Sequence, residues 1–186
     1  MFNKLKALSG AETALLWLLA ANPKTAFYSN EAAKKAGLSV GSASAALNEL
    51  ARQGFVSCEK KGKMKFYRAN LASAATRSFK VFSNCLALTP LAAAATGAGA
   101  AKLVLYGSAA KGEDSEESDF DLACVTNDRK GAVEKMAKAA EKVEKATGKK
   151  VSLNYYGEAD YHKLAQTSPA FYESVEHGIA LWEEKS

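Results

Sequence analysis

Apolar positions recur at helical spacing through the first fifty residues and then change rhythm. Leu15, Leu16 and Leu19 share one helical face behind Ser9-Gly10-Ala11-Glu12, a capping box whose two end residues each satisfy a backbone donor. Asn22-Pro23 ends that helix. A second helix is predicted to start near Ser29 or Asn30, with Glu31 in its first turn, and to stop at Gly37. Ser39 can cap a third, which puts Ala43, Leu47 and Leu50 at i, i+4 and i+7 and ends at Gln53-Gly54. From Phe55 the period shortens to two. Val56 and Cys58 alternate with polar residues up to Lys60, Lys61-Gly62 turns the chain, and Lys63 to Arg68 returns, which is the signal of a β-hairpin.

Helical spacing resumes at Ala75, Phe79, Phe82 and Leu86, one apolar stripe on a helix from about Leu71 to Leu88. Such a stripe should be buried, either against a second domain or against its own copy in a homodimer. Thr89-Pro90 starts another helix, since proline is tolerated at the first helical position, and the Ala/Gly-rich run Ala92 to Ala101 reads as tightly packed. Lys102 to Tyr106 is a short buried strand leading into Gly107-Ser108. A second strand runs from Asp119 through Val125. Asn127 or Asp128 then caps a helix with Val133, Met136, Ala140 and Val143 on one face, ended by Gly148, and Val151 to Tyr156 is a third strand.

Composition narrows the class. With 186 residues, 48% of them hydrophobic, the chain can build one large or two small packed cores. Its longest strongly apolar stretch, Ala14 to Ala21, is too short to span a bilayer, and the N-terminus lacks the pattern of a secretory signal, so a soluble cytoplasmic protein with no membrane partner is expected. Cys58, Cys85 and Cys124 are odd in number and far apart, which argues against a disulfide framework or a zinc site. The net charge of +5 hides an asymmetry: residues 1–70 carry +7, residues 71–100 carry +2, and residues 101–186 carry −4. A basic front half suits a polyanion, whereas an acidic back half repels one unless cations intervene.

The run Ala33-Lys34-Lys35-Ala36-Gly37-Leu38-Ser39, followed by Leu47 through Val56, resembles the winged helix-turn-helix of bacterial and archaeal transcription regulators. The resemblance implies that the helix from Ser39 to Gln53 enters the major groove of duplex DNA, with the hairpin as a wing on the sugar-phosphate backbone. Lys60, Lys61, Lys63, Lys65 and Arg68 crowd that wing, where each can neutralise a phosphate; the competing reading is a solvated edge kept soluble by lysine. The outward positions of the helix include Ser42, Ser44 and Asn48 but no Lys or Arg, and only Asn48 suits adenine. Modest sequence selectivity follows, or a role in protein contacts.

In the back half, Gly107-Ser108-Ala109-Ala110-Lys111-Gly112 is followed by a mostly acidic run and then Ser118-Asp119-Phe120-Asp121-Leu122. This resembles the G-S-x-x-x-G-x-x-x-x-x-S-D-x-D-L signature of the DNA polymerase beta nucleotidyltransferase superfamily, in its small prokaryotic branch. Ser168 to Phe171 and His177 to Trp182 are similar to the final helix and strand of such domains. Gly107 lets the backbone approach a triphosphate, and the Ser108 hydroxyl can donate to its oxygens. Lys111 either offsets phosphate charge or is a surface lysine. Asp119 and Asp121, two apart on a strand, project from one face and can hold hard cations, usually Mg²⁺, for an in-line displacement. Glu113, Asp114, Glu116 and Glu117 read as a solvated acidic loop, and His177 as structural.

The third strand in active relatives usually supplies another carboxylate. Here it offers Ser152 and Asn154 instead, and Glu158 and Asp160 follow too late to replace it. The expected organisation is α+β: a winged helix-turn-helix over residues 1–70, a helical connector over 71–100, and a nucleotidyltransferase-like domain with a small mixed sheet over 101–186. Two functions stay open. One is a DNA-binding regulator-like protein that binds a nucleoside triphosphate with Mg²⁺ and transfers its nucleotidyl group to a hydroxyl acceptor, on a protein or a small molecule. The other is a non-catalytic DNA-binding regulator with a degenerate, nucleotide-sensing transferase domain.

Overall fold

A computed structural model describes residues 8–184. The chain divides into two compact units, Met1–Lys80 and Val81–Ser186. The division falls inside the stretch read from sequence as the connector.

The first unit holds helices α1 (Gly10–Ala21), α2 (Ser29–Ala36) and α3 (Val40–Arg52), with strands β1 (Phe27–Tyr28), β2 (Val56–Lys61) and β3 (Met64–Ala69). The capping box forms as read: Glu12 N donates to Ser9 Oγ at 3.3 Å, and Ser9 N donates to Glu12 Oε2 at 2.6 Å. Gly37 ends α2 in the left-handed conformation, φ 66°, which a side chain would strain, and Ser39 then caps α3. Leu15, Leu16, Leu19, Leu47 and Leu50 are wholly buried and form one core with Phe27, Val56 and Tyr67. Each such aliphatic side chain contributes roughly 1.5–3 kcal/mol by leaving water. Alternation alone did not reveal β1, a two-residue strand that pairs antiparallel with β3 and makes a sheet of order β1-β3-β2.

Helix α4 (Ala74–Ala87) leaves part of the apolar stripe uncovered within a single copy of the chain. Phe82 is 54% exposed and Leu86 46%, while Phe79 is only partly buried, against the first core and edge-on to Trp17. The buried face carries polar residues instead: Thr76, Lys80 and Asn84, four apart. Each reaches a backbone carbonyl. Thr76 Oγ1 donates to Phe55 O at 2.9 Å, Lys80 Nζ to Ala20 O at 2.6 Å, and Asn84 Nδ2 to Ala109 O at 3.0 Å. The Ala20 carbonyl lies in the last turn of α1, where oxygens lack helical partners, and the Ala109 carbonyl accepts only a long 3.4 Å backbone bond from Gly112 N, so both can take a side-chain donor from α4.

The second unit contains α5 (Thr89–Gly97), β4 (Lys102–Tyr106), α6 (Gly107–Lys111), β5 (Phe120–Val125), α7 (Arg129–Thr147), β6 (Val151–Tyr156), α8 (Glu158–Thr167), α9 (Pro169–Glu176) and β7 (Ile179–Glu183). Its sheet has the order β6-β5-β4-β7, with β5 and β6 parallel and the other pairs antiparallel. This is the small mixed sheet expected. Leu103, Leu105, Leu122 and Cys124 point to the face that packs on α5 and α7, and Val104, Ala123 and Val125 to the face under α8 and α9. Gly178 turns α9 into β7; a Cβ there would stand 2.5 Å from Leu105 O and 2.6 Å from Val104 Cγ1, so any larger residue would push β7 off β4. Trp182 donates its indole N–H to Ala100 O at 2.8 Å and seals the far end of the sheet. Among the described residues no helix is long and apolar enough to cross a membrane.

Candidate active site and basic hairpin

The residues expected to bind nucleotide converge where β4 ends. Tyr106 pairs with Asp121 across β4 and β5, and Asp121 pairs in turn with Ser152 on β6. Asp119 directly precedes β5, with Phe120 between the two aspartates turned into the core. Gly107 has φ 73°, and a Cβ built on it would lie 3.1 Å from Asp121 Oδ2. The glycine thus both allows the left-handed turn and lets the backbone come up against a carboxylate. Burial holds the Asp121 carboxyl above its ordinary range, and the neighbouring Asp119 charge raises it further. Neither cause is a cation, so the pair repels itself.

The acidic run between α6 and β5 departs from its reading as a solvated loop, in part at Glu116, whose Oε2 is buried, and most at Asp114. Asp114 is wholly buried. Lys149 Nζ pairs with Asp114 Oδ2, Asn84 Nδ2 donates to Oδ1 at 3.0 Å, and the same ammonium lies 5.2 Å from the Phe120 ring centroid. These contacts tie the loop to α4 and to the segment between α7 and β6. The signature serine has a structural role as well. Ser118 Oγ accepts from Ser115 N at 2.9 Å, while Ser118 N donates to Ser115 O at 3.2 Å, closing the turn that delivers Asp119. Sequence reasoning missed Asp114, Lys149 and Asn84, because buried partners so far apart in the chain leave no local pattern.

The third strand brings no acid. Asn154, on the same face as Asp121 and Ser152, donates Nδ2–H to Tyr106 Oη at 2.9 Å. Glu158 accepts from Asn127 at 2.9 Å and Asp160 pairs with Lys163 at 3.1 Å, both within the helix that follows. Among the described residues no three His, Cys, Asp or Glu side chains gather as a metal cluster. Aromatic rings back the site: Tyr106 meets Phe171 edge-on at 5.4 Å, and Phe171 meets Tyr156 at 5.9 Å. Lys111 is exposed and, with Gly107, Ser174 and His177, lines a cleft of about 430 Å³. His177 has its Nδ1 2.8 Å from Glu173 O, in keeping with a structural histidine.

In the first unit, Lys60, Lys61, Lys63, Lys65 and Arg68 are all exposed on the hairpin but do not share one face. Lys60 stands directly opposite Lys65, on the side that carries Cys58 and Tyr67, whereas Arg68 and Lys61 belong to the other side. Lys61 lies 3.5 Å from Glu59 and 5.8 Å from the Phe66 ring centroid. On α3, Ser42 is exposed, Ser44 half-buried and Asn48 exposed. Asn48 is already engaged: its Nδ2 donates to Ser44 O at 2.8 Å, and its Oδ1 accepts from Lys65 Nζ at 2.9 Å and from Tyr67 Oη at 3.0 Å. Adenine reading would need both of those amide atoms.

With this geometry in view, residues 95–183 match the family described as Polymerase beta, Nucleotidyltransferase. The matched stretch spans β4 to β7 and includes Gly107, Ser108, Asp119 and Asp121. This segment is therefore similar to a nucleotidyltransferase domain, and its mixed sheet agrees with that class. No curated protein matches the chain.

Proposed function

We propose that the chain is a DNA-binding regulator whose C-terminal nucleotidyltransferase domain binds a nucleoside triphosphate together with Mg²⁺. The observation that carries the nucleotide half is the left-handed Gly107 set against Asp121, with Asp119 beside it. Two carboxylates that repel each other, with the neutral oxygens of Ser152 and Asn154 on the next strand, fit one Mg²⁺, an ion usually held by one or two carboxylates plus substrate phosphates. When bound, the ion neutralises phosphate charge. Ser108 donates a hydroxyl hydrogen bond to the phosphates, Gly107 leaves the backbone room to approach them, and Lys111 offsets their remaining charge.

Transfer of the nucleotidyl group to a protein or small-molecule hydroxyl, with Asp119 and Asp121 as the catalytic pair, is the second reading. It is favoured by the intact segment from Gly107 to Asp121 and by the family match. Against it stands β6, where Ser152 and Asn154 provide no base for the attacking hydroxyl. For the front half we propose a winged helix-turn-helix of residues 1–70 on duplex DNA, with Ser42 and Ser44 facing the groove and the hairpin cations neutralising phosphates. A homodimer through the exposed Phe82 and Leu86 of α4, and a cytoplasmic location, complete this reading.

One experiment separates nucleotide binding from nucleotidyl transfer: incubation with labelled ATP, GTP, CTP and UTP, with Mg²⁺ and a cell extract. Magnesium-dependent binding with the nucleotide recovered intact supports the sensor. Label retained on an acceptor, and lost with Asp121→Asn, supports transfer. No magnesium-dependent binding of any nucleotide sinks both.

A further inference from the structure

A cavity of about 360 Å³ lies in the first unit, bounded by the start of α2, by α3 and by the β3 end of the hairpin. Its polar lining includes Ser29, Asn30, Ser44, Lys63 and Lys65, with the wholly buried Tyr67 as its floor. None of the described residues that line it is an acid. The hydrogen-bond capacity can be followed atom by atom. Tyr67 donates its O–H to Asn48 Oδ1 at 3.0 Å, with the Ser29 and Cys58 side chains also beside the phenol oxygen. Lys65 reaches the same Asn48 oxygen at 2.9 Å, which engages one of three ammonium protons and leaves two. Lys63, at the hairpin turn, brings a second cation, and Lys60 directly across from Lys65 adds a third positive charge nearby. Like charges opposite one another destabilise a strand pair unless an anion sits between or beside them.

We propose that this cavity is a phosphate-binding site, in which Lys63 and Lys65 contact the anion, Ser44 and Asn30 supply neutral donors, and Tyr67 acts through Asn48 as the residue that positions Lys65. A hollow walled by cations and neutral donors selects a tetrahedral oxyanion over a cation or a neutral ligand. The phosphate can come from a duplex DNA backbone or from a small phosphorylated molecule, and the recognising chemistry is the same. Only the first source rests on the DNA-binding reading above. Asn48, tied to Lys65 and Tyr67, becomes part of a phosphate seat rather than a reader of bases.

The test uses the full chain and two probes, inorganic phosphate and a duplex DNA, with ionic strength held constant by chloride. Backbone amide shifts of Ser29, Asn30, Ser44 and Lys65 should saturate with phosphate. They should lose saturation in Lys63→Ala/Lys65→Ala and remain in Lys138→Ala/Lys142→Ala, which removes the same charge from the exposed face of α7. Tyr67→Phe, which keeps the ring and loses only the hydroxyl, should weaken phosphate binding severalfold while the melting curve confirms a folded unit. Shifts that grow linearly, or that both double variants alter equally, overturn the site. The DNA probe separates the sources. If duplex DNA competes with phosphate for these shifts, the backbone is the ligand; if DNA does not bind while phosphate saturates, the DNA-binding reading fails and the cavity stands as a site for small phosphates. If DNA binds, Lys63→Ala/Lys65→Ala leaves its affinity unchanged and phosphate does not saturate the shifts, the cavity proposal fails and the DNA reading survives.

Discussion

Asp114 and Asp121 are carried by neighbouring stretches of one unit, yet their surroundings are opposite. Asp114 is buried with an ammonium and an amide supplied by distant parts of the chain, so its charge is settled within the protein. Asp121 is only partly buried, faces a second carboxylate, and has its carboxyl pushed up by burial first and by Asp119 second. The contrast separates an acid whose charge is compensated within the fold from one that is set beside another acid. An acid compensated internally holds a loop, and an acid set against another acid is a cost to the ligand-free fold, as the proposed nucleotide site would require.

The largest effect should come from breaking the settled pair. Lys149→Met strands a buried carboxylate and should cost about 3–5 kcal/mol in urea unfolding, whereas Asp114→Leu with Lys149→Met should recover much of that loss. If Lys149→Met unfolds like the wild type, Asp114 is not compensated by Lys149 and the contrast collapses.

Neutralising the unsettled pair should act in the other direction. Asp119→Asn with Asp121→Asn should leave the ligand-free protein as stable as before or firmer, and remove the magnesium-dependent gain from nucleoside triphosphate. That gain is about 2.7 kcal/mol at a hundredfold excess over the dissociation constant. Melting curves with and without Mg²⁺ report both halves.

A carboxyl raised in the folded state also has a pH signature. The native protein holds the Asp121 proton more tightly than the unfolded chain, so its contribution favours folding in acid and is lost as pH rises from the ordinary aspartate value, 3.8, through the folded one. The stability of wild type relative to Asp121→Asn should therefore fall across that window and stay level on either side. A rise across the same window would mean that a cationic group, not Asp119, governs the site.

Ser118→Ala removes the hydroxyl that accepts from Ser115 N and should cost about 0.5–1.5 kcal/mol, with weaker magnesium-dependent nucleotide binding because Asp119 follows directly. The smallest effect belongs to Phe82→Asp: on a side chain 54% exposed it should change monomer stability by about 1 kcal/mol or less. Molar mass measured alongside shows whether that face joins copies, since an added charge would part them.

The periodic elements were legible because each depends on neighbours in sequence. The capping box, the Gly37 stop, the Ser39 cap and the strands around Gly107 lie where spacing and turn residues put them. The polar gap opposite Asp121 was legible too, since strand alternation fixes Ser152 and Asn154 on one face. What stayed hidden depends on partners far away. Thr76, Lys80 and Asn84 face inward because each answers a carbonyl supplied by another element, and a stripe of Phe and Leu gives no hint of that demand. Asp114 is one acid among several in the sequence, and only the fold brings Lys149 beside it.

The position of β4 in its sheet has a consequence for the order in which this unit is made. β5 follows β4 closely in the chain, but the strand on its other flank, β7, emerges only after both intervening strands and their helices. The bond from Trp182 to Ala100 spans 82 residues. At roughly 5–20 residues per second, a ribosome leaves the edge of β4 open for several seconds. That edge belongs to a strand bearing Leu103, Val104 and Leu105, the kind of surface that recruits other chains. A slowed or stalled ribosome anywhere between Val125 and Ile179 would prolong that exposure, so aggregation of newborn chains should rise with pausing in this stretch far more than with pausing before Lys102.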